Sequence, residues 1–224
     1  MGYHVIDPET NEKIHVKDWE VKYPGLDATC DVCNTEMYIR AEATSDKKPH
    51  FAHYPKRSNC PTILKNRKRY EDFAPTEIDR VNAENIKKTV LANLWGTFLK
   101  CQEIMETKLY ESEFKSMIKK ANERNIWLYK GLTMKYVPYI LLVNYGVFPK
   151  ADKRSKKVHF VFDAVISNFD DLWVESKVKQ KIWRVYPDYE NTIETVDIEW
   201  DECQYVKPYF INYITGIKEE AIQW

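Results

Sequence analysis

The chain of 224 residues has little glycine, no excess charge and no long apolar run. Its six glycines form no loop of the kind that cradles nucleotide phosphates. No apolar run reaches the roughly 20 residues of a membrane-spanning helix, and no charged segment followed by an apolar leader opens the chain. These absences exclude nucleotide-loop chemistry and predict a protein without a membrane partner, which we expect to be soluble and cytoplasmic.

Formal net charge is zero, because 34 Lys and Arg balance 34 Asp and Glu. No attraction of the whole chain to nucleic acid follows from such a balance. The charges are nevertheless segregated, since residues 47–69 contain no acidic side chain and residues 188–202 contain no Lys or Arg. We expect the acidic C-terminal region to avoid nucleic acid and to face the basic segment or a protein partner.

The hydrophobic content of 44% is enough for a proper core. The length allows one large domain or a core domain with a small appended module. The five cysteines are an odd number, and two of them form a Cys-x-x-Cys pair. This pattern favours metal binding in a reducing compartment over a disulfide framework.

The strongest motif in the chain is a cluster of zinc-ligand residues. Cys30 and Cys33 form a tight knuckle, and a strand-like run then leads to His50, His53 and Cys60. Zinc takes four ligands in a structural site, so one of these five residues is spare. The two histidines of HFAH lie on opposite faces of an extended strand. We expect Cys30, Cys33, His53 and Cys60 to bind Zn²⁺, with His50 as the substitute.

The knuckle, the HFAH run and the following cysteine resemble the N-terminal zinc ribbon of the competence protein CoiA-like family. A predicted β-hairpin over residues 3–19 precedes them, as it does in that family, and the resemblance covers roughly residues 3–65. It implies that the ribbon is followed by a helical segment and a PD-(D/E)xK nuclease-like domain. It also implies a DNA-associated protein of bacterial or phage origin.

A basic segment overlaps and follows the ribbon, with Phe51, Tyr54 and Tyr70 interleaved. Basic and aromatic side chains together are typical of a surface that follows a phosphate backbone and stacks on bases. The alternative is a solvated charge run. The residues predicted to contact nucleic acid, which we expect to be DNA, are Lys47, Lys48, Lys56, Arg57, Lys65, Arg67, Lys68 and Arg69.

The middle of the chain predicts helices followed by strands. One long helix begins at Pro75 and Thr76 with Asp79 at its third position, and its inward residues are Ile78, Val81, Ile86, Val90, Leu94 and Phe98. Residues 111–125 predict a second helix with an apolar face. The run after it predicts two strands, of which the second is long and apolar and contains Pro138 near its start.

A two-stranded hairpin is predicted around Asp163. The even-numbered positions are mostly apolar in residues 158–166 and again in residues 172–182. If both sets face one core, antiparallel pairing across a short loop places Asp163 about opposite Glu175, and Lys177 shares their face. Two carboxylates in this arrangement can hold Mg²⁺ or Mn²⁺, and a neighbouring lysine can orient the attacking water.

An Asp on one strand and Glu-x-Lys on the next resembles the core of the PD-(D/E)xK nuclease superfamily, although Phe162 stands where that family usually has proline. The resemblance implies that Asp163, Glu175 and Lys177 are catalytic, and that an acidic residue of the preceding helix, Glu77 or Glu84, adds to the metal site. A solvated face of a lysine-rich hairpin is the alternative.

Together these observations predict an α+β fold. A zinc β-ribbon module with a basic linker occupies residues 1–69, and a restriction-endonuclease-like mixed sheet flanked by helices occupies residues 70–224. The predicted function is hydrolysis of phosphodiester bonds in DNA by a metal-dependent nuclease. The alternative is a catalytically inactive module that binds nucleic acid or protein, of the type used in phage or bacterial defence and counter-defence.

Overall fold

The fold combines α-helices with small antiparallel sheets and is of the α+β class. The computed structural model describes residues 2–40, 48–174, 180–187 and 192–198. Its strands are β1 His4–Ile6, β2 Lys13–His15, β3 Ala28–Thr29, β4 Glu36–Arg40, β5 His50–His53, β6 Val147–Phe148, β7 Val158–Phe162, β8 Lys181–Tyr186 and β9 Thr192–Asp197. Its α-helices are α1 Val16–Lys22, α2 Arg80–Ala92, α3 Leu94–Met105, α4 Glu111–Glu123 and α5 Val137–Tyr145. Shorter 3-10 helices are Leu64–Glu71, Ile126–Leu128 and Phe169–Trp173.

The predicted N-terminal hairpin is confirmed, since β1 and β2 pair antiparallel. Helix α1 follows it directly and was not predicted. The side chain of His15 accepts a hydrogen bond from the backbone N–H of Lys17 at 3.2 Å and so caps the first turn of α1. Trp19 of α1 packs edge-on against Phe51, with ring centroids 5.9 Å apart. This contact joins the hairpin to the next sheet.

Strands β3, β4 and β5 form that next sheet, which we call the ribbon sheet. Both pairings are antiparallel, and Met37 of β4 lies opposite both Ala28 and His53. The predicted second arm of the ribbon is therefore confirmed. Because β3 leads into the knuckle and β5 ends at His53, the sheet places these two parts of the zinc motif side by side.

The single long helix predicted from Pro75 is two helices, α2 and α3, separated at Asn93. The amide of Asn93 donates to the carbonyl of Thr89 at 2.9 Å, and such a side chain competes with continuation of the helix. Asp79 is the N-cap of α2 and not its third residue. Ile78 and Val81 are therefore exposed, while the inward residues are Ile86, Val90, Leu94 and Phe98.

Helix α4 confirms the second predicted helix, with Phe114, Met117, Ile118 and Ala121 buried. The long apolar strand predicted after it is wrong, because Val137–Tyr145 forms helix α5. Pro138 lies in the first turn of α5, where its missing N–H costs no hydrogen bond. An apolar run buried on all sides carries no periodicity that separates strand from helix.

The C-terminal sheet has the strand order β6-β7-β8-β9, and all of its described pairings are antiparallel. The mixed sheet expected for a restriction-endonuclease-like domain is not present among the described strands. Strand β7 is buried on both faces, so His159, at an odd-numbered position outside the predicted apolar set, is also fully buried. Helix α5 packs against β7, and the 3-10 helix Leu64–Glu71 forms hydrogen bonds with it through Arg67 and Tyr70.

The predicted pairing of Asp163 with Glu175 is wrong in register. Phe162 lies opposite Ile182, and continuing this register by one residue brings Lys181 to the level of Asp163. The segment expected to begin the second strand is the 3-10 helix Phe169–Trp173 instead. Asp171 lies in the first turn of this helix, and its carboxylate accepts hydrogen bonds from the backbone N–H groups of Ser167 and Asn168 just before the helix. These bonds favour a helical turn over a strand.

One continuous core holds the molecule together. Buried residues of the N-terminal module, among them Val5, Trp19 and Cys60, belong to the same apolar cluster as Phe160 and Phe162 of β7. The predicted boundary at residue 69 is therefore crossed by packed side chains. None of the described helices is both long enough and apolar enough to cross a lipid bilayer.

Candidate metal centre and basic cleft

The turn between β3 and β4 shapes the Cys-x-x-Cys knuckle. The backbone N–H of Asn34 donates to the Cys30 carbonyl at 2.8 Å, and the N–H of Cys30 donates to the Thr35 carbonyl at 2.9 Å. Asn34 closes the turn with φ at +54°, a left-handed conformation that asparagine tolerates. The turn is compact enough for the sulfur atoms of Cys30 and Cys33 to converge.

The second pair of ligands comes from the end of β5 and the loop after it. The N–H of Cys60 donates to the Ser58 hydroxyl at 3.1 Å. The side-chain amide of Asn66 donates to the carbonyls of Ser58 and Cys60 at 3.2 and 3.0 Å. Because Asn66 belongs to the 3-10 helix Leu64–Glu71, that helix holds the loop that positions Cys60.

Four side chains converge here with their ligand atoms all within 4.8 Å of one another: Cys30, Cys33, His53 and Cys60. The sulfur atoms of Cys30 and Cys60 are 3.9 Å apart, and the sulfur of Cys33 is 3.3 Å from Nε2 of His53. A tetrahedral zinc ion with ordinary bond lengths separates two sulfurs by about 3.8 Å and a sulfur from a nitrogen by about 3.6 Å. The predicted set of four can therefore hold a metal ion such as zinc.

His50 is the spare residue of the five. It lies on the opposite face of β5, where its Nδ1 is 3.1 Å from the carbonyl of Lys48, and it takes no part in the cluster. The two-residue repeat of an extended strand causes this separation, because side chains at positions 50 and 53 point to opposite sides. The side chain of His50 is 5% exposed and packs in the interior.

The thiols and the imidazole of the cluster strongly perturb one another's protonation. Hydrogen bonds from Cys30 and Cys60 lower the pKa of the Cys33 thiol far below its usual value. Burial works against protonation of His53, but its contacts with the Cys33 and Cys60 thiols raise its pKa to about 9. The hydroxyl of Thr35, 3.0 Å from the Cys33 sulfur, can donate to it. Such donors orient and stabilise metal-bound thiolates.

The donor set fits zinc and not a hard cation. Three sulfurs and one imidazole nitrogen suit Zn²⁺, whereas Mg²⁺ and Ca²⁺ require oxygen ligands. All four tetrahedral positions are provided by the protein, so no position is left for a substrate or a water. The centre is therefore suited to a structural role.

The structure divides the predicted nucleic-acid contacts into two groups. Five of the side chains are exposed on the surface around and after the ribbon sheet: Lys48, Lys56, Arg57, Lys65 and Lys68. Lys47 lies outside the described residues. The aromatic residues predicted beside them differ as well, because Phe51 and Tyr70 are buried while Tyr54 is half-buried. The rings of Tyr54 and Tyr38 are 4.8 Å apart, and the guanidinium of Arg57 lies 5.3 Å from the Tyr54 ring.

Arg67 and Arg69 serve the fold. Arg67 is 7% exposed and donates to the carbonyls of Phe160 and Val143, the latter at 2.8 Å. Arg69 is half-buried and donates to the carbonyls of residues 164 and 166. Burial leaves Arg67 little surface, and its guanidinium already donates to two carbonyls. Both arginines instead anchor the 3-10 helix Leu64–Glu71, called the basic helix below.

A cleft of about 430 Å³ lies between the basic helix and helices α4 and α5. We call it the basic cleft, because five cations and one carboxylate contribute to its lining: Lys65, Arg67, Lys68, Lys120, Arg124 and Glu71. Lys120 and Arg124 were not predicted as binding residues. Linear sequence carries no signal for them, since they look like ordinary polar residues of an amphipathic helix.

Asp163 is the one member of the predicted catalytic trio that the structure describes. It follows β7, and its carboxylate accepts a hydrogen bond from the indole N–H of Trp183. Burial raises the pKa of Asp163, and the Trp183 N–H and the charge of Lys181 offset this only in part. Glu175 and Lys177 lie outside the described residues.

The acidic helix residues considered for the same metal site are both on the surface. Glu77 forms an ion pair with Lys130 at 2.5 Å, and Glu84 is exposed on α2. Of the acidic C-terminal region 188–202, which we expect to face the basic segment or a protein partner, the structure describes residues 192–198. Within it, β9 pairs with β8 as the outer strand of the C-terminal sheet.

Comparison of the chain with models of protein families, with curated proteins and with solved structures finds no match. The CoiA-like resemblance accordingly stays a prediction that depends on the motif residues alone.

Proposed function

We propose that this protein binds nucleic acid, and that a structural zinc ion holds its binding surface in place. The observation that carries the proposal is the direct covalent continuity between the zinc cluster and the basic helix. Cys60 is a ligand of the cluster, and the basic helix begins at Leu64. Asn66 of that helix donates back to the Cys60 carbonyl at 3.0 Å. Zinc binding would thus fix the position of the basic side chains.

The charge around the basic helix supports a polyanionic partner. The exposed lysines of this helix, Lys65 and Lys68, line the basic cleft on one side and a second cleft of about 570 Å³ on the other. Phosphate contacts by lysine and arginine supply most of the affinity of non-specific nucleic-acid binding. The chain as a whole is neutral, so the attraction comes from this local concentration of cations.

The half-buried tyrosines of the ribbon sheet support a nucleic-acid partner in particular. Tyr38 and Tyr54 lie in contact with each other, and Arg57 stacks on Tyr54. Aromatic rings beside arginines bind bases of single strands through stacking, which adds about 1–3 kcal/mol per base. We therefore expect a preference for single-stranded nucleic acid.

The test is a binding titration with short labelled oligonucleotides, followed by fluorescence anisotropy. We expect binding that weakens steeply between about 50 and 200 mM salt, because counterions are released. The double variant Lys65→Ala with Lys68→Ala should weaken binding by about tenfold and lower the salt dependence. The matched control removes two exposed lysines elsewhere, Lys17→Ala with Lys88→Ala, and should leave affinity within about twofold. No binding by the wild-type protein at low salt would refute the proposal.

A second candidate function is divalent-metal-dependent cleavage of a phosphodiester bond near Asp163. It is favoured by Ala164, the residue after Asp163, which lines the second cleft together with Lys65 and Lys68. A strand bound in this cleft along the basic helix would reach the segment that contains Asp163. A carboxylate whose pKa burial raises gains stability from a bound divalent cation.

In this second candidate the C-terminal domain is a nuclease-like domain of the PD-(D/E)xK type, Asp163 and Glu175 hold Mg²⁺ or Mn²⁺, and Lys177 orients the water. Cleavage should then require added Mg²⁺ or Mn²⁺ and should be abolished in Asp163→Asn, while zinc content and oligonucleotide affinity stay unchanged. Asp152→Asn, at an exposed position, is the control that should keep full activity. Metal-dependent cleavage that survives Asp163→Asn would exclude this site. If the wild-type protein binds but cleaves neither DNA nor RNA with either metal, binding alone is its activity.

A further inference from the structure

The basic cleft contains a hydrogen-bond donor that the protein leaves unused. The side-chain nitrogen of Asn144, on α5, is buried and has no partner among the described residues, although the residue lines the cleft. Its orientation is set by the side-chain oxygen, which accepts a hydrogen bond from Arg124 at 3.0 Å. An unpaired buried donor costs about 1–3 kcal/mol, so its presence calls for a ligand, an ion or a water.

Charge in the cleft points to an anionic ligand. Two of the cations have partners within the protein. Lys120 donates a hydrogen bond to the Tyr145 carbonyl at 2.8 Å, and Arg124 lies 3.8 Å from the Glu71 carboxylate. The C-terminus of α5 adds about half a negative charge. The Glu71 carboxylate and the C-terminus of α5 together carry too little negative charge to balance the five cations that line the cleft. Lys120 and Arg124 also retain further N–H donors, since an ammonium has three and a guanidinium has five.

The cations also repel one another. Burial, followed by the charges of Arg124 and Arg67, lowers the pKa of Lys120. An anion placed between them would relieve this repulsion. The like charges around the open cleft therefore destabilise the free protein, and attraction to a bound anion would offset their repulsion.

We propose that the basic cleft is a phosphate-binding site, in which the Asn144 amide, Lys120, Arg124 and the exposed lysines of the basic helix receive one phosphate group. A volume of about 430 Å³ admits a nucleotide unit together with its phosphate. The identification of this phosphate as part of a nucleic acid rests on the proposed function. The group is either the terminal phosphate of a strand or an internal phosphodiester.

The experiment measures binding of inorganic phosphate by ³¹P NMR and of two oligonucleotides, one 5′-phosphorylated and one with a 5′-hydroxyl, by anisotropy. The key variant is Asn144→Asp, which keeps the acceptor for Arg124 but replaces the free donor with an anionic oxygen. We expect it to weaken phosphate binding by about tenfold or more. Asn85→Asp makes the same charge change at an exposed position on α2 and should have no effect.

Tighter binding of the 5′-phosphorylated oligonucleotide, lost in Asn144→Asp, would assign the site to a terminal phosphate. Equal affinity for both oligonucleotides, reduced equally in the variant, would assign it to an internal phosphodiester. If Asn144→Asp does not fold, Lys65→Ser with Lys68→Ser provides the same comparison with exposed positions.

Failure of the two proposals can be told apart. If the wild-type protein binds oligonucleotides and Lys65→Ala with Lys68→Ala weakens that binding, but Asn144→Asp changes binding of neither phosphate nor oligonucleotides, the phosphate site is refuted and the proposed function stands. If inorganic phosphate binds and depends on Asn144 while no oligonucleotide binds, the phosphate site stands and the nucleic-acid function is refuted.

Discussion

The hydroxyl of Tyr70 accepts a hydrogen bond from the backbone N–H of Phe162 at 2.9 Å and donates to the carbonyl of the same residue at 3.3 Å. Burial raises the pKa of Tyr70 to about 12, so the hydroxyl keeps its proton at neutral pH. These bonds tie the basic helix to the last residue of β7, next to Asp163. The hydroxyl of Tyr70 therefore connects the basic helix directly to the C-terminal sheet.

Removal of this hydroxyl should destabilise the protein. In Tyr70→Phe the buried N–H of Phe162 loses this acceptor, which we expect to lower the free energy of unfolding by about 1–3 kcal/mol. Urea denaturation of the zinc-loaded protein measures the change. The control is Tyr54→Phe, whose hydroxyl donates to Asp27 at the surface and should cost less than about 0.5 kcal/mol. Equal effects of the two substitutions would contradict the anchoring role of Tyr70.

The two histidines of β5 provide a matched test of the metal centre. His53→Ala removes a predicted ligand and should reduce bound zinc from about one equivalent to well below it, together with a lower melting temperature. His50→Ala removes a buried imidazole on the other face of the same strand and should keep its zinc. Metal analysis of the purified proteins decides between them, and loss of zinc from His50→Ala alone would reverse the assignment.

The ion pair of Arg154 and Glu113 is buried, since their side chains are 2% and 12% exposed. Glu113 also accepts a hydrogen bond from the backbone N–H of Tyr110 at 3.1 Å. Glu113→Ala leaves the Arg154 charge buried without its partner, and we expect a loss of about 3–5 kcal/mol in the free energy of unfolding.

An exposed ion pair provides the comparison for this substitution. Glu103 pairs with Lys100 at 2.9 Å, but its side chain is 69% exposed. Glu103→Ala should cost no more than about 1 kcal/mol, because water screens the attraction. Denaturation curves of both variants at one pH give the two values, and similar losses would show that burial of Arg154 does not matter.

Stability should fall with acid because of His159. Burial, with a smaller effect from the charge of Arg67, lowers the pKa of His159 to about 3. Below about pH 6.5, the ordinary pKa of histidine, the His159 imidazole binds a proton in the unfolded chain but stays neutral in the folded protein. The contribution of His159 to stability is therefore fully present above about pH 6.5, and the free energy of unfolding falls by about 2 kcal/mol at pH 5 because of this residue alone.

His159→Leu removes this contribution while keeping a buried side chain of similar size. The difference in unfolding free energy between pH 7.5 and pH 5 should shrink by about 2 kcal/mol relative to the wild-type protein. Both proteins contain the same zinc ligands, so acid-induced loss of metal cancels in the comparison. An unchanged pH dependence would mean that His159 is protonated in the folded state.

Local motifs allowed the zinc cluster to be predicted before any tertiary information. A Cys-x-x-Cys turn, an alternating strand and a later cysteine each impose a short-range geometry, and together they favour His53 with His50 as the substitute. The structure selects His53. The amphipathic helix α4 was predictable for the same reason, since its apolar spacing has a single period.

Long-range packing explains what could not be predicted. The apolar run of α5 is buried on all sides and so carries no periodic signal. The register of β7 with β8 depends on how many residues the intervening 3-10 helix takes up, which alternation alone does not reveal. Arg67 looks like a surface cation in the sequence, yet carbonyls of two other elements satisfy it in the interior.

By itself the sequence determined the α+β class, the N-terminal hairpin and the five candidate ligands of the metal centre, because each depends on residues close together in the chain. Tertiary structure alone decided that Lys120, Arg124 and Asn144 share one cleft with the basic helix. These residues come from elements that meet only when α4, α5 and the basic helix pack around the same core, and no local pattern encodes that meeting.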